Sequence, residues 1–380
     1  MRFIGLVGKN LLRRPARSAL TLIALTTAIA AVVSLLGIAR GFTESFGEIY
    51  EAHAVDIVVS RQGAADRLSS SIDAEMVSKI DELESVRHSA AVLLETMSLE
   101  EEGVYGIPTM GIAWDSWLIA DFKLTGSDQI DRDGSPMKDA GSTLLGIHLA
   151  ERLGLSAGDD FELFGDAYRV AGVFQSPSTW ENGALVMRLD DLQELTDRDG
   201  QATYINVVLQ PPLSAPQSSK AIQSIKALDE KLLPLATNEF VETDRQMQLA
   251  QAMAWMISVI ALVIGAIGTL NTMLTSVMER TREIGILRAI GWPKSRVMKM
   301  ILLESCGLAL GAGILGTILA IWATWALSQA PAAKGILNPS IGTSVIIQGF
   351  LLAIGIGLLG ALLPAWRATK LTPTEAFREQ

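Results

Sequence analysis

The chain has 380 residues, 49% of them hydrophobic and only 19% charged, with a formal net charge of −10. Charged residues make up about a quarter of an ordinary soluble domain, so the composition points to a membrane class. The single cysteine, Cys306, excludes an internal disulfide scaffold, and with it His53, His88 and His148 are too scattered to give a metal-ligand spacing.

Residues 2–14 read as a basic amphipathic helix lying on a membrane surface. Arg2, Lys9, Arg13, Arg14 and Arg17 occupy 1–17 with no acid among them. Residues 18–39, "SALTLIALTTAIAAVVSLLGIA", carry no charge, and about 20 apolar helical residues cross a bilayer core. A basic start also suits a cleaved leader. A leader's apolar stretch is about 7–15 residues long, and no small-x-small cleavage site follows here, so 18–39 is expected to stay as a first span.

Residues 40–245 form the long segment outside the spans. "VDIVVS" (55–60) reads as a strand, Asp73–Glu84 as a helix with Met76, Val77, Ile80 and Leu83 on one side, and 90–98 as a strand. Later, "TYINVVL" (203–209) reads as a strand, Gln217–Leu233 as a helix and 239–243 as a short strand. Between these units lies a β-rich insert containing "VYGIPTMGIA", "LAERLGL", "DDFELFGDAYRVAGVF" and "GALVM", with Gly165-Asp166 as a turn candidate. Two subdomains, one inserted in the other, are expected. The adjacent pairs Asp159-Asp160 and Asp190-Asp191 read as turn and helix-cap residues.

Residues 246–278 are uncharged, and a helix of that length is roughly 50 Å long, more than a bilayer core. Gln246, Gln248 and Gln251 place the surplus outside as a stalk, with Trp255 at the interface. Met247, Met253, Met256, Met273 and Met278 suit ordinary helix packing or an adaptive lining. Asn271 and Thr272 either bond across a helix interface or sit near the headgroups. The patch 279–304 is charged. Within it Ile284, Ile286, Leu287 and Ile290 are spaced for one side of a short helix that Gly291 and Pro293 end. The stretches 305–333 and 335–366 are again uncharged and give a third and a fourth span, separated by a turn near Lys334. Gly307-x-x-x-Gly311 marks a close-packing helix face, and Gly355, Gly357 and Gly360 do similar duty in the last span.

Charge sets the expected sidedness. The tails 1–17 and 367–380 with the patch hold 14 Lys/Arg against 5 Glu, whereas 40–245 holds 36 acids and 16 bases. Positive charge beside spans marks the cytoplasmic face, so both termini and 279–304 are expected inside and 40–245 outside. The expected fold is an α-helical membrane protein with four transmembrane helices plus an α+β extracytoplasmic domain, in which two strand-helix-strand units bracket the insert. There is no G-x-x-x-x-G-K-[ST], H-E-x-x-H or G-x-S-x-G. In "GLVGKN" (5–10) Asn10 follows Gly8-Lys9 and no strand precedes it. No catalysis, metal, cofactor or nucleic-acid partner is therefore expected of the chain itself.

"NTMLTSVMERTREIGILRAIGWPKSRVMKMILLES" (271–305) and "ALLPAWRATKLTPTEAF" (361–377) resemble the FtsX-like permease domain of the MacB and LolC/LolE class of ABC transporters. The core "ER-T-REIG-LRAIG" carries the likeness. So does the ending, where Pro364, Ala365, Arg367, Ala368, Pro373, Glu375 and Ala376 follow the family's P-A-x-R-A-x-x-x-x-P-x-E-A pattern. "GIHLAERLGLSAGDDFEL" with "YRVAGVF" is similar to the family's periplasmic core, and "NLLRRPARSALT" to its start. The resemblance implies a permease domain over about 250–375, an inner-membrane location, lipid contact, and pairing with a second permease copy or a paralogue. It also implies a separate cytoplasmic ABC ATPase that binds the ATP, and a periplasmic membrane-fusion adaptor is a candidate partner. Carried onto this chain, the ATPase contact falls on Glu279, Arg280, Arg282, Glu283, Gly285, Arg288 and Gly291. The function implied is export or extraction of a substrate driven by the partner's ATP. The alternative is mechanotransmission without transport, acting on a cell-wall hydrolase or a sensor.

Overall fold

The computed structural model describes residues 15–64, 68–99, 103–125, 141–211, 214–329 and 339–370. The expected helix 2–14, the turn near Lys334 and residues 371–380 of the expected tail 367–380, with Pro373, Glu375 and Ala376, lie outside them, whereas 367–370 close the last helix. The chain divides into two units. One comprises Met1–Arg40, Ala250–Leu327 and Pro339–Gln380, the other Gly41–Leu249 and Ser328–Asn338.

The first unit is a helical bundle. Among the described residues, four helices are long and apolar enough to cross a membrane: Ala19–Ala52, Met247–Glu279, Lys294–Ser328 and Thr343–Lys370. The first lies within Pro15–Ala52 and runs well past residue 39. The third apolar stretch begins inside the charged patch, because Lys294–Ser328 is one continuous helix.

Without a hydrophobic force between helices in lipid, these helices meet where small residues let backbones approach. The close approaches are at Gly316 against Ile29 and Thr26, Gly349 against Val33, Gly357 against Ala309, and Gly360 against Thr269 and Ala266. Ser305 Oγ donates to the Gly357 carbonyl at 2.7 Å, tying the third span to the fourth. Leu25, Ile29, Ala30 and Val33 of the first span fill the centre with Ala312, Ala320, Val345, Ala353 and Ile356. A Cβ at Gly311 would meet Leu22 only at an ordinary 3.5 Å, and Gly307 is exposed. Asn271 is exposed on the second span, which also leaves Trp255, Met256, Ile260, Val263, Ile264 and Ile267 exposed.

The second unit is built on one large sheet. Its strands are β1 (Ile57–Arg61), β3 (Val86–Leu99), β4 (Val104–Ile112), β5 (Lys123–Thr125), β6 (Ser142–Gly146), β7 (Asp160–Leu163), β8 (Asp166–Gln175), β9 (Leu185–Arg188), β11 (Tyr204–Leu209) and β12 (Leu232–Ala236). The two-residue strands β2 (Ile72–Asp73) and β10 (Gln201–Ala202) pair separately. The order is β12-β1-β11-β3-β4-β9-β6-β8-β5, with β7 on β8.

β1, helix Met76–Asp81 and β3 form one strand-helix-strand unit; β11, helix Ala215–Leu228 and β12 form the other. Their antiparallel pairing in the order β12-β1-β11-β3 is the split β-α-β arrangement. β11 is buried along its whole length, as expected for a strand covered on both faces, and "YINVVL" is accordingly rich in β-branched residues. Met76, Ile80, Ala221 and Ile225 of the two helices cover one face. Phe46, Ile49, Tyr50, Leu118, Phe240 and Val241 cover the other.

Three expectations are corrected here. The insert does not form a separate subdomain: β4 pairs in parallel with β9, so the sheet passes without a break from the split β-α-β unit into the insert. The last strand lies at Leu232–Ala236, and 237–243 is a helix, because Pro234 is tolerated on the edge strand beside β1 and Thr237–Thr243 turns Phe240 and Val241 onto the sheet. The β7–β8 hairpin turns on Phe164-Gly165, one residue earlier than read; both have positive φ, which matches a two-residue turn of the primed type. The acidic pairs act locally: the Ser156 amide donates to Asp159, Asp160 pairs with Arg169, and Asp191 with Arg188 at 2.7 Å.

Candidate coupling site

The charged end of the bundle is built around a break between two helices at Arg280. The second span ends at Glu279, and a short helix, Thr281–Ala289, starts at once. Arg280 adopts φ −107 and ψ 14 at the junction. Its guanidinium Nη1 reaches both oxygens of Glu304 on the third span, at 3.0 and 3.2 Å. The two side chains are only 12% and 7% exposed, so this is a buried ion pair. It fixes the angle at which the short helix leaves the second span.

The other end of the short helix is fixed as firmly. The Trp292 amide donates to the Leu287 carbonyl and the Gly291 amide to the Arg288 carbonyl, both at 3.1 Å, with Gly291 at φ +101. That pair of bonds is a Schellman stop, which requires a residue free of the Cβ penalty at Gly291. Pro293 follows and the third span begins at Lys294. Arg288 Nη1 donates to the Trp292 carbonyl at 2.9 Å, and the Arg296 guanidinium lies 4.8 Å over the Trp292 ring.

Between the two stops the helix has two unlike faces. Ile284 and Gly285 are buried, and Ile284 packs with Val277, Val297, Met300, Ile301, Ala365 and Ala368, with Leu287 alongside. Arg282, Glu283, Ile286 and Ile290 are exposed. At 3.6 residues per turn these four share the opposite arc. The expected single apolar side is therefore split, because Ile284 and Leu287 face the bundle whereas Ile286 and Ile290 face away.

Of the seven residues that the resemblance assigns to the ATPase contact, Glu279, Arg282, Glu283 and Gly291 lie at the surface. Gly285 is buried, and Arg280 and Arg288 are half-buried and engaged within the chain. Glu304 was not singled out from sequence. A lone acid 24 positions from its partner has no periodic relation to it, and only the helix packing reveals the pair. At the end of the fourth span the Lys370 ammonium stands 3.7 Å over the Trp366 ring, an aromatic–basic anchor suited to a headgroup layer.

The MacB-like periplasmic core domain matches residues 18–225, more than half of the chain, and the FtsX-like permease C-terminal domain matches 255–373. An uncharacterized ABC transporter permease of Methanocaldococcus jannaschii is 23% identical over 59% of this chain and 58% of its own length. The macrolide export ATP-binding/permease protein MacB of Nitrobacter winogradskyi is 26% identical over 80% of this chain and 50% of its own. The MacB of Shewanella oneidensis is 39% identical over 33% of this chain and 18% of its own. This chain thus spans about half the length of the first two relatives, 58% and 50%.

Among solved structures, the periplasmic region of MacB from Actinobacillus actinomycetemcomitans aligns at a TM-score of 0.40 and 12% identity, over 51% of this chain and 94% of that one. The extracellular domain of the noncanonic ABC-type transporter YknZ aligns at 0.36 and 13% identity, over 48% of this chain and 98% of that one. With both domain families matched in order along one polypeptide, and four apolar helices to place it in a membrane, the chain belongs to the MacB/FtsX-like family of ABC transporter permeases.

Proposed function

We propose that this permease binds a cytoplasmic ABC ATPase through the exposed arc of Thr281–Ala289 and turns the ATPase's closure into movement of its spans and outer domain, exporting or extracting a substrate. One observation supports this above the others. The short helix is clamped at both ends, by Arg280–Glu304 and by the Gly291 stop, while Arg282, Glu283, Ile286 and Ile290 point away from the bundle. A mixed apolar and charged surface on a rigid element is what a soluble partner can grip, and a clamped base passes the push on to the second and third spans. In this reading the basic patch lies on the cytoplasmic side together with both termini. ATP is bound by the partner, and a second permease copy or paralogue completes the dimer. The exposed apolar face of the second span, with Asn271, suits lipid or that second copy.

The test is charge exchange on the exposed arc. Arg282→Glu combined with Glu283→Arg is expected to leave the yield and melting temperature of the permease within about 0.5 kcal/mol of the parent, as surface changes do. It should weaken the complex with the ATPase by about tenfold or more in reconstituted nanodiscs, and permease-dependent stimulation of ATP hydrolysis should fall with it. Undiminished binding and stimulation would sink the assignment, as would purification in which no nucleotide-hydrolysing protein ever accompanies the chain.

A further inference from the structure

Just beyond the end of helix Pro15–Ala52, within the second unit, lies a polar knot that no part of the coupling scheme uses, buried except for Asp121, whose side chain is 45% exposed. His53 is 5% exposed. Its Nδ1 lies 3.2 Å from Asp121 Oδ2, and its Nε2 lies 3.2 Å from Glu181 Oε1. Asp121 ends the short helix Trp117–Asp121, and Glu181 belongs to Thr179–Asn182 and is itself 2% exposed. The second carboxylate oxygen of Glu181 accepts the Ser176 hydroxyl. Two turns back along the first helix, the Ser45 carbonyl accepts from Ser178 Oγ at 2.8 Å, and Ser45 Oγ accepts the Trp180 amide at 3.2 Å. Ser45 and His53 thus tie this end of the helix to segments 117–121 and 176–182.

The geometry selects a protonation state. A neutral imidazole has one N–H, so one of its nitrogens is an acceptor. Here both nitrogens face carboxylate oxygens, and a neutral ring would set a lone pair against a carboxylate at one of them. Only the imidazolium donates to both. Burial by itself lowers the ring's pKa, but hydrogen bonds and charge from Glu181, then from Asp121, outweigh it, and the ring titrates above the ordinary histidine value.

Among the described residues, Glu181 and Asp121 are the charged groups that bear on the ring. Glu48 and Glu51 of its own helix are not among those that move it. Phe122 lies edge-on to the ring at 5.4 Å and Trp117 at 6.3 Å. His88 stacks on Trp117 at 4.6 Å. Burial and then Arg87 hold His88 below the ordinary value, with Asp81 and Asp121 opposing them.

We propose that His53 is a proton-operated joint: doubly protonated, it clamps the end of the first helix to segments 117–121 and 176–182, and loss of one proton opens the clamp. Because the folded ring keeps its proton to a higher pH than an unfolded histidine, the clamp is complete below about pH 6.5 and is lost as pH rises through the folded value. An outer domain built this way is stiffest in an acidic exterior. The inference needs no nucleotide and does not depend on the ATPase reading.

Hydrogen–deuterium exchange on the full chain in nanodiscs, followed from about pH 6 to about pH 9, tests it directly. Amides of 117–122 and 176–183 are expected to lose protection relative to β11 amides in the same sample, by at most about tenfold per pH unit between the ordinary histidine value and the folded ring's higher one, and to level off above it. His53→Gln should flatten that relative profile. Should His53→Gln fail to fold, Glu181→Gln should move the midpoint to lower pH, since one of the two carboxylates that hold the proton is then gone. Relative protection that stays constant across the range in the parent protein overturns the proposal, as does a profile that persists in His53→Gln or an unmoved midpoint in Glu181→Gln.

Discussion

Arg280→Ala is expected to destabilise the helical bundle by about 3–5 kcal/mol, because it strands a carboxylate in a packed, water-poor place. Glu304 is 7% exposed on its side chain, and Arg280 donates to both of its oxygens. The two halves of the pair are not equivalent. In Glu304→Gln the long arginine side chain is left, and it can swing its head toward the headgroups while its stem stays packed. In Arg280→Ala the short acid on the third span has no such route. The thermal midpoint in detergent should therefore fall further for Arg280→Ala than for Glu304→Gln. The double replacement Arg280→Leu with Glu304→Leu should recover most of the loss, since apolar side chains of similar size often substitute for a buried pair without penalty. Under the proposed ATPase contact, the recovered variant should still couple poorly, for the bidentate contact that sets the angle of Thr281–Ala289 is gone. Equal midpoints for Arg280→Ala and the parent protein would remove this ion pair from the account of how the site is held.

Gly360→Ala is the second large effect. A methyl there would stand 2.5 Å from Thr269 Cβ and 2.8 Å from the Ala266 carbonyl oxygen, and the latter is backbone and cannot rotate aside. Only separation of the second and fourth spans relieves that clash, and overpacking of this kind costs about 1–3 kcal/mol. Gly268→Ala is the matching control, because nothing lies within 4 Å of the position a methyl would take. Measured side by side for yield and thermal midpoint, Gly360→Ala should fall well below the parent while Gly268→Ala matches it. Should both behave alike, the second–fourth contact is not where the bundle is tight.

Much of the bundle was legible because lipid leaves few options. Uncharged runs of the right length have to be helices, and four such runs give four spans. Where the first helix ends was less plain, since Arg40, Glu44, Glu48 and Glu51 interrupt its apolar run. Phe42, Phe46, Ile49 and Tyr50 do keep helical spacing through that stretch, and they pack on the sheet, so the periodicity was there to be read. The glycines were harder. Gly307-x-x-x-Gly311 looks like a packing face, yet the close approaches fall at Gly316, Gly349, Gly357 and Gly360, because helix rotation is set by neighbours that a single segment does not reveal.

At the candidate site, the charged helix and its glycine stop follow from local rules. The inward turn of Arg280 and the outward turn of Ile286 and Ile290 depend on where the third and fourth spans stand. The parallel partnership of β4 with β9 and the meeting of His53 with Asp121 and Glu181 join residues some 70 to 130 positions apart, for which local pattern carries no information.

The unbroken sheet has a mechanical meaning. Backbone hydrogen bonds run across it from β12 at one rim to β5 at the other, and such a ladder resists stretching along its bonds. Because β4 and β9 join the two halves of the sheet, movement of this unit as one plate is favoured over a hinge closure between its halves.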